Sequence, residues 1–353
     1  MGWRADIDLN DNARKMVALF SFLFLHRSSH RNKAPSRKTI LCFTQERVAM
    51  SYDLNIPWPC NNYNTTPNAQ QWTDLKNTII TNLQLGVTHQ AINFSIDESI
   101  KIPFNTPDKI NPISVTSILD ELKPKFPTLK LFTRVTLIVT DSSKLQGVAK
   151  LQNHFDLFAI QPTTEKALQL TILNIECDLI SLNLANRLPF FLKFKAIGTG
   201  VAKGIKFEIN YSQLITGSLG YSSDVSVNLI KKNWFNNVLQ LIRSSRSRGL
   251  VVSSGAQNPL QVRNANDILI LLKTLGLDSS KARSCILLNP EKALLSARLR
   301  IKSYKQVISI GNESLIGNTN EDLDKKHNAT GYKRKFSDTM TGLLLKKYKS
   351  GYS

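Results

Sequence analysis

LKLFTRVTLIVT, residues 129–140, decides the fold. Val135, Leu137 and Val139 alternate with Thr136, Ile138 and Thr140, so both faces of the run are apolar or β-branched. A strand with one face in water shows polar residues at every second position. A strand without them is buried on both sides, which is the signature of a parallel sheet covered by helices. Working outward, short β-rich runs alternate with helical stretches. Strands are predicted at 51–56, 91–96, 157–161, 179–182, 205–211 and 250–253, with an eighth over Cys285–Leu288. Helices are predicted at 70–85, 115–122, 143–153, 165–173, 233–246, 267–275 and 291–298. Trp72, Leu75, Ile79 and Leu83 make one face of the first, and Trp234, Val238, Leu241 and Ile242 make the apolar face of the fifth. Seven or eight β-then-α units over about 250 residues predict an α/β fold, a closed TIM-like (β/α) barrel; pattern alone leaves an open doubly wound sheet possible.

The barrel is expected over 50–301, between two extensions expected to be disordered. Residues 1–49 look foreign to the rest. MVALFSFLFL (16–25) has the length of a signal-peptide core, but Asp6, Asp8 and Asp11 precede it and no cleavage pattern follows. An organelle-targeting segment is a second reading of the Arg/Ser content. Translation from Met50, where a strand starts at once, is the reading preferred here. Over 302–353 periodicity fades into Asn, Gly, Ser, Asp and Lys, which predicts a basic tail.

Lys plus Arg number 46 against 26 for Asp plus Glu, a net charge of +20. Residues 1–49 carry 9 basic and 4 acidic side chains, and 301–353 carry 10 and 5, so each end contributes +5 and the middle +10. The excess favours a polyanionic partner and is not confined to the tails. No apolar run reaches the roughly 18 residues of a membrane span, so no membrane partner is expected. The four cysteines lie far apart and no pair has C-x-x-C spacing, which argues against a zinc ribbon or redox motif.

Catalytic signals are sparse. Only His89 and His154 fall in the barrel; His26, His30 and His327 lie outside it. Strand-end acids are few: Asp53, Asp97, Asp141 and Glu208, of which Asp53, Glu208 and Asp141 could converge. A buried polar network is the preferred reading of these acids. No phosphate-binding loop, nucleophile elbow or zinc-protease motif occurs.

Seven motifs then stand in order: DLNIPWP (53–59), QAINFS (90–95), TRVTLIVTD (133–141), RLPFFLKFK (187–195), GIKFEINYS (204–212), IRSSRSRG (242–249), and VVSSGAQNPLQVR (251–263) with LGL (275–277). Together they resemble the thirty-kilodalton TIM-barrel protein subunit of ribonuclease P, shared with RNase MRP, and its fungal form most closely. The resemblance covers roughly 50–302. It implies a barrel related to metal-dependent phosphoesterases of the polymerase and histidinol phosphatase type. Those use an H-x-H motif on the first strand, where this chain reads Asp53-Leu54-Asn55. It further implies a non-catalytic scaffold that binds the RNase P and RNase MRP RNAs. The RNA, with its magnesium, would mature the 5′ end of precursor tRNA and act in rRNA processing. This chain would bind no cofactor itself. A small RRM-like protein and other subunits of the particle would be its partners, and precursor tRNA an indirect one. Nuclear, and specifically nucleolar, localisation is expected. A metal-dependent phosphoesterase of the related barrel class is the alternative.

Structured RNA is held mainly through phosphates, so Arg and Lys should carry affinity. The candidates are Arg243, Arg246 and Arg248, closing a helix, where dipole-stabilising cations are the plainer reading. Lys193 and Lys195 interleave with Phe190, Phe191 and Phe194. Arg134 is either an RNA contact or an internal ion pair with Glu208. Ser254 and Gly255 follow the seventh strand and, with Arg263, could hold a phosphate, or form a tight packed turn. Lys333, Arg334 and Lys335 form a candidate nuclear import signal.

Overall fold

The computed structural model describes residues 52–97, 111–140, 151–216 and 227–302. Seven strands, β1 (Tyr52–Pro57), β2 (His89–Asp97), β3 (Lys130–Val139), β4 (Leu157–Pro162), β5 (Leu179–Ser181), β6 (Lys206–Asn210) and β7 (Leu250–Ser253), lie side by side in chain order. Every pairing is parallel. β3, the run that opened the reading, sits between β2 and β4 with nine registered partners on one side, His89 to Asp97.

Helices fill the connections: α1 (Ala69–Gln84), α2 (Val115–Leu122), α3 (Glu165–Asn174), α4 (Phe194–Ala202), α5 (Ser212–Thr216), α6 (Val227–Ser245), α7 (Ala265–Thr274), α8 (Ser279–Ile286) and α9 (Leu288–Lys302). Local chemistry starts several of them. The Asn68 backbone N–H donates to Gln71 Oε1 at the head of α1, and Thr164 Oγ1 accepts from Ala167 N at the head of α3.

Among the described residues the sheet closes without an eighth strand. Ser254 N donates to Asp53 Oδ1 (2.9 Å), and Gly255 N to the Asn55 carbonyl (2.8 Å), so loop atoms after β7 bridge to β1. Gly255 takes φ +61°, and a Cβ there would lie 2.9 Å from Ser212 Oγ; the seam therefore requires glycine. The expected strand over Cys285–Leu288 is instead the end of α8 and the start of α9. Cys285 is buried there, and burial lifts its thiol to about 12. A four-residue apolar run reads equally as strand or helix, and packing against the barrel chose helix. The predicted 143–153 helix lies outside the described residues up to 150, as do 1–49 and the tail beyond 302.

Alternation sorts each strand into an outer and an inner face. Outward residues such as Ile92, Phe94, Leu137, Ile160, Phe207 and Val252 form the main core with the helices. Inward residues stack in two layers. One is apolar: Tyr52, Leu54, Ala91, Phe132, Leu157, Ala159, Leu179 and Val251, capped by Ala293, Leu294 and Ala297 of α9. Arg300 fixes that plug by donating to Asp178 Oδ2 (2.9 Å) and to the Gln152 carbonyl. The other layer is polar and leads to the C-terminal mouth of the barrel.

Candidate nucleic-acid interface

The polar layer is built on Arg134 and Glu208. The guanidinium meets the carboxylate through two nitrogens, at 2.5 and 2.7 Å, and Nη1 also donates to the Leu54 carbonyl. Both side chains are 0 % exposed. Burial alone would raise the Glu208 carboxyl; the guanidinium beside it reverses that and holds it below its ordinary value. Around the pair runs a ring of amides. Asn55 Nδ2 donates to Asn210 Oδ1 (3.0 Å) and Glu208 Oε2 (3.3 Å), Asn93 Nδ2 donates to Asn55 Oδ1 (2.9 Å), and Thr136 Oγ1 donates to Asn93 Oδ1 (2.7 Å). Every oxygen of this floor already accepts a hydrogen bond.

That saturation bears on metal chemistry. A divalent cation needs several anionic or carbonyl oxygens or imidazoles pointing at one place. The Asn55 and Asn210 oxygens face the amide donors of Asn93 and Asn55, the Asn93 oxygen faces Thr136 Oγ1, and Glu208 faces Arg134, so these residues do not fit a metal. Asp53, in the place of the first histidine of H-x-H, accepts from Ser254 N, Asn55 N and Asn82 Nδ2 and is spent on the β1–β7 seam. Burial pushes its carboxyl upward. Asp53 and Glu208 thus do not converge on one point but are linked through Asn55, whose backbone N–H bonds the first and whose Nδ2 bonds the second; Asp97 is exposed, and Asp141 lies outside the described residues. His89 bonds Thr88 and stacks on Phe132, and His154 is an exposed loop residue.

Three of the RNA candidates are therefore corrected. Arg134 is the internal ion pair, because its guanidinium is sealed from solvent and bonded through all three nitrogens. Ser254 and Gly255 form the packed turn, because their N–H groups are consumed by the seam; Ala256 N also donates to Ser254 Oγ. No N–H of these three residues is left for a phosphate. Arg263 folds back on its own loop, with Nη1 donating to the carbonyls of Leu260 (2.6 Å) and Val262 (2.9 Å).

The other candidates are exposed. α6 ends in a turn where Arg246 and Ser247 both take left-handed backbone, φ 53° and 57°, and Ser247 N closes onto the Ile242 carbonyl. The turn leaves Arg243, Arg246 and Arg248 in solvent. α4 packs beside α6, and the Arg246 guanidinium lies 6.0 Å from the Phe194 ring, itself 57 % exposed. Lys193 and Lys195 flank that ring in sequence; Lys193 Nζ pairs with Glu165 (2.6 Å), and Lys195 is exposed. The structure thus brings the α4 and α6 candidates onto one basic, partly aromatic surface, which sequence spacing could not do. Phe191, 80 % exposed, is solvent-facing, while Phe190 is core. Lys333, Arg334 and Lys335 lie outside the described residues.

Residues 50–302, the whole barrel, match the family described as RNase P subunit p30. The chain belongs to the RNase P subunit p30 family. It is 38% identical over 305 residues to the ribonuclease P/MRP protein subunit RPP1 of Saccharomyces cerevisiae, covering 85% of this chain and all of that one. It is 28% identical to the probable ribonuclease P protein subunit 3 of Schizosaccharomyces pombe, over 74% of this chain and 99% of that one. Among solved structures, a chain in the archaeal ribonuclease P complex with mature tRNA superposes with TM-score 0.51 at 17% identity, over 68% of this chain and 95% of that chain. That likeness supports the barrel fold. The p30 resemblance read from the seven motifs is borne out, and so is the barrel.

The amide floor is what sequence reasoning missed. Its signal was present: Leu54-Asn55, Ile92-Asn93 and Ile209-Asn210 repeat an apolar residue followed by Asn within three strands.

Proposed function

We propose that this p30-family chain is a non-catalytic, RNA-binding scaffold subunit of ribonuclease P and of RNase MRP. The observation that carries the reading is the family match over the entire barrel. The chemistry of the mouth agrees with it: the oxygens that would hold a metal are bonded to protein donors. The RNA subunit would carry the cleavage, with magnesium bound to RNA. This chain would meet RNA phosphates through Arg243, Arg246, Arg248, Lys193 and Lys195, and Phe194 would offer a ring face beside them. A small RRM-like subunit would be its protein partner, precursor tRNA would be reached through the particle, and the nucleolus would be its place of action, with Lys333, Arg334 and Lys335 as an import signal.

The test is recovery of the tagged chain from its own cells with sequencing of the bound RNA. Ribonuclease P and MRP RNAs, with precursor-tRNA cleavage in the recovered material, are the expected result. Their absence under conditions that keep other ribonucleoproteins intact would overturn the reading.

A further inference from the structure

Above the amide floor the mouth opens into a cavity of about 410 Å³, within the roughly 300–1,000 Å³ typical of small-ligand pockets. Its lining is almost uncharged; among the described residues that line it Asp74 is the one ionisable side chain, and no Lys or Arg is present. Such a wall gives a phosphate no counter-charge, and suits a neutral ligand with a hydrogen-bonding edge better.

The wall is also polarised. Gln71, Gln213 and Gln261 line it, and each Oε1 accepts a backbone N–H, from Asn68 (2.9 Å), Leu184 (3.1 Å) and Gln257 (2.8 Å) respectively. Pinning the oxygen fixes the amide and leaves its –NH2 without a partner among the described residues. Trp58 adds an independent sign. It lines the same cavity, is only 6 % exposed, sits edge-on to Trp72, and its indole Nε1–H has no acceptor among the described residues. Buried donors are rarely left unpaired, because desolvation without a bond is costly. Three pinned amides in a nearly uncharged wall, with an unpaired indole N–H buried in the same lining, call for carbonyl and ring-nitrogen acceptors on a compact ligand.

We infer that the barrel mouth receives a single unpaired, carbonyl-bearing RNA base, with the pinned glutamine amides and the Trp58 indole N–H reading its edge while the sugar and phosphates stay outside. The inference rests on the RNA-binding role proposed above. Unpaired bases are the part of RNA that proteins read by edge, and side-chain amides are common readers of base edges. The base belongs to the RNA subunit or to the precursor tRNA, two sources with the same chemistry.

The full chain is titrated with a short oligouridylate and with an abasic oligomer of equal length and charge. About 10-fold tighter binding of the oligouridylate is expected. Trp58→Phe removes the orphan N–H, and Gln71→Glu keeps the oxygen that accepts from Asn68 N while replacing the –NH2 that faces a base. Each should cut that preference about 3–10-fold with the folded state intact by circular dichroism. Gln71→Glu keeps the test decisive should Trp58→Phe fail to fold. Equal binding of the two oligomers, or binding of neither, overturns the pocket.

In the reconstituted particle, 4-thiouridine is placed in the RNA subunit in one arm and in precursor tRNA in the other. Crosslinking to the segment containing Trp58 identifies the source, and crosslinking from neither arm overturns the inference. If the chain still recovers its RNAs from cells, failure belongs to the pocket alone. If it recovers none, the scaffold reading has failed.

Discussion

Removing Glu208 would leave the Arg134 guanidinium without a counter-charge where water does not reach. Breaking a buried pair from one side typically costs about 3–5 kcal/mol, far more than the net worth of the pair. Glu208→Leu and Arg134→Met should each destabilise the chain by that order in urea denaturation. The double variant should recover only part, because Asn55 and Asn210 would still lose the acceptor they share. The pH dependence has a definite sign. Glu208 is held below its ordinary 4.5, so its contribution is present in full above that pH and is lost as pH falls from there through the lowered value. The stability gap between wild type and Glu208→Gln should be flat from pH 7 to 5 and shrink below that. A gap that stays constant to pH 3 would mean the carboxylate is not the ionised partner.

At the scale of elements, the α6 terminus matters most. A helix that ends in two left-handed residues turns its basic side chains away from the core, and α4 meets it with Phe194. If Arg243, Arg246 and Arg248 touch phosphates, replacing all three with Gln should flatten the salt slope of RNA binding by about 0.7–0.9 log units per lost contact. The same slope in a folded variant would return them to helix-end cations. α4 itself was invisible in sequence. Gly198 and Gly200 argue against a helix by propensity. Gly200 is nevertheless used there, since a Cβ at that position would come within 3.1 Å of the Phe207 ring. Close helix–sheet packing outweighed the local preference.

At the scale of the molecule, the barrel is closed by a seam of side-chain and loop hydrogen bonds between its first and last strands. Asp53 lies at its centre, with one oxygen accepting from Ser254 N and Asn55 N and the other from Asn82 of α1. Asp53→Asn keeps the size and turns one acceptor into a donor facing a donor. A loss of about 1–3 kcal/mol is expected, read as a lower Tm for a single cooperative transition. An unchanged Tm would show that closure rests on the apolar layers alone. Periodicity determined by itself that the chain alternates strand and helix, because side chains on a strand or helix face repeat with the backbone. Ordered motifs determined the family, and composition the basic charge. Tertiary structure alone decided the rest. It converted Arg134, Ser254 and Gly255 from candidate RNA contacts into internal bonds, placed Phe194 against Arg246, and gathered asparagines of three strands into one floor. The physical reason is that hydrogen-bond partners and solvent access belong to groups distant in sequence: Arg134 and Glu208 are 74 residues apart, and Asp53 and Ser254 are 201.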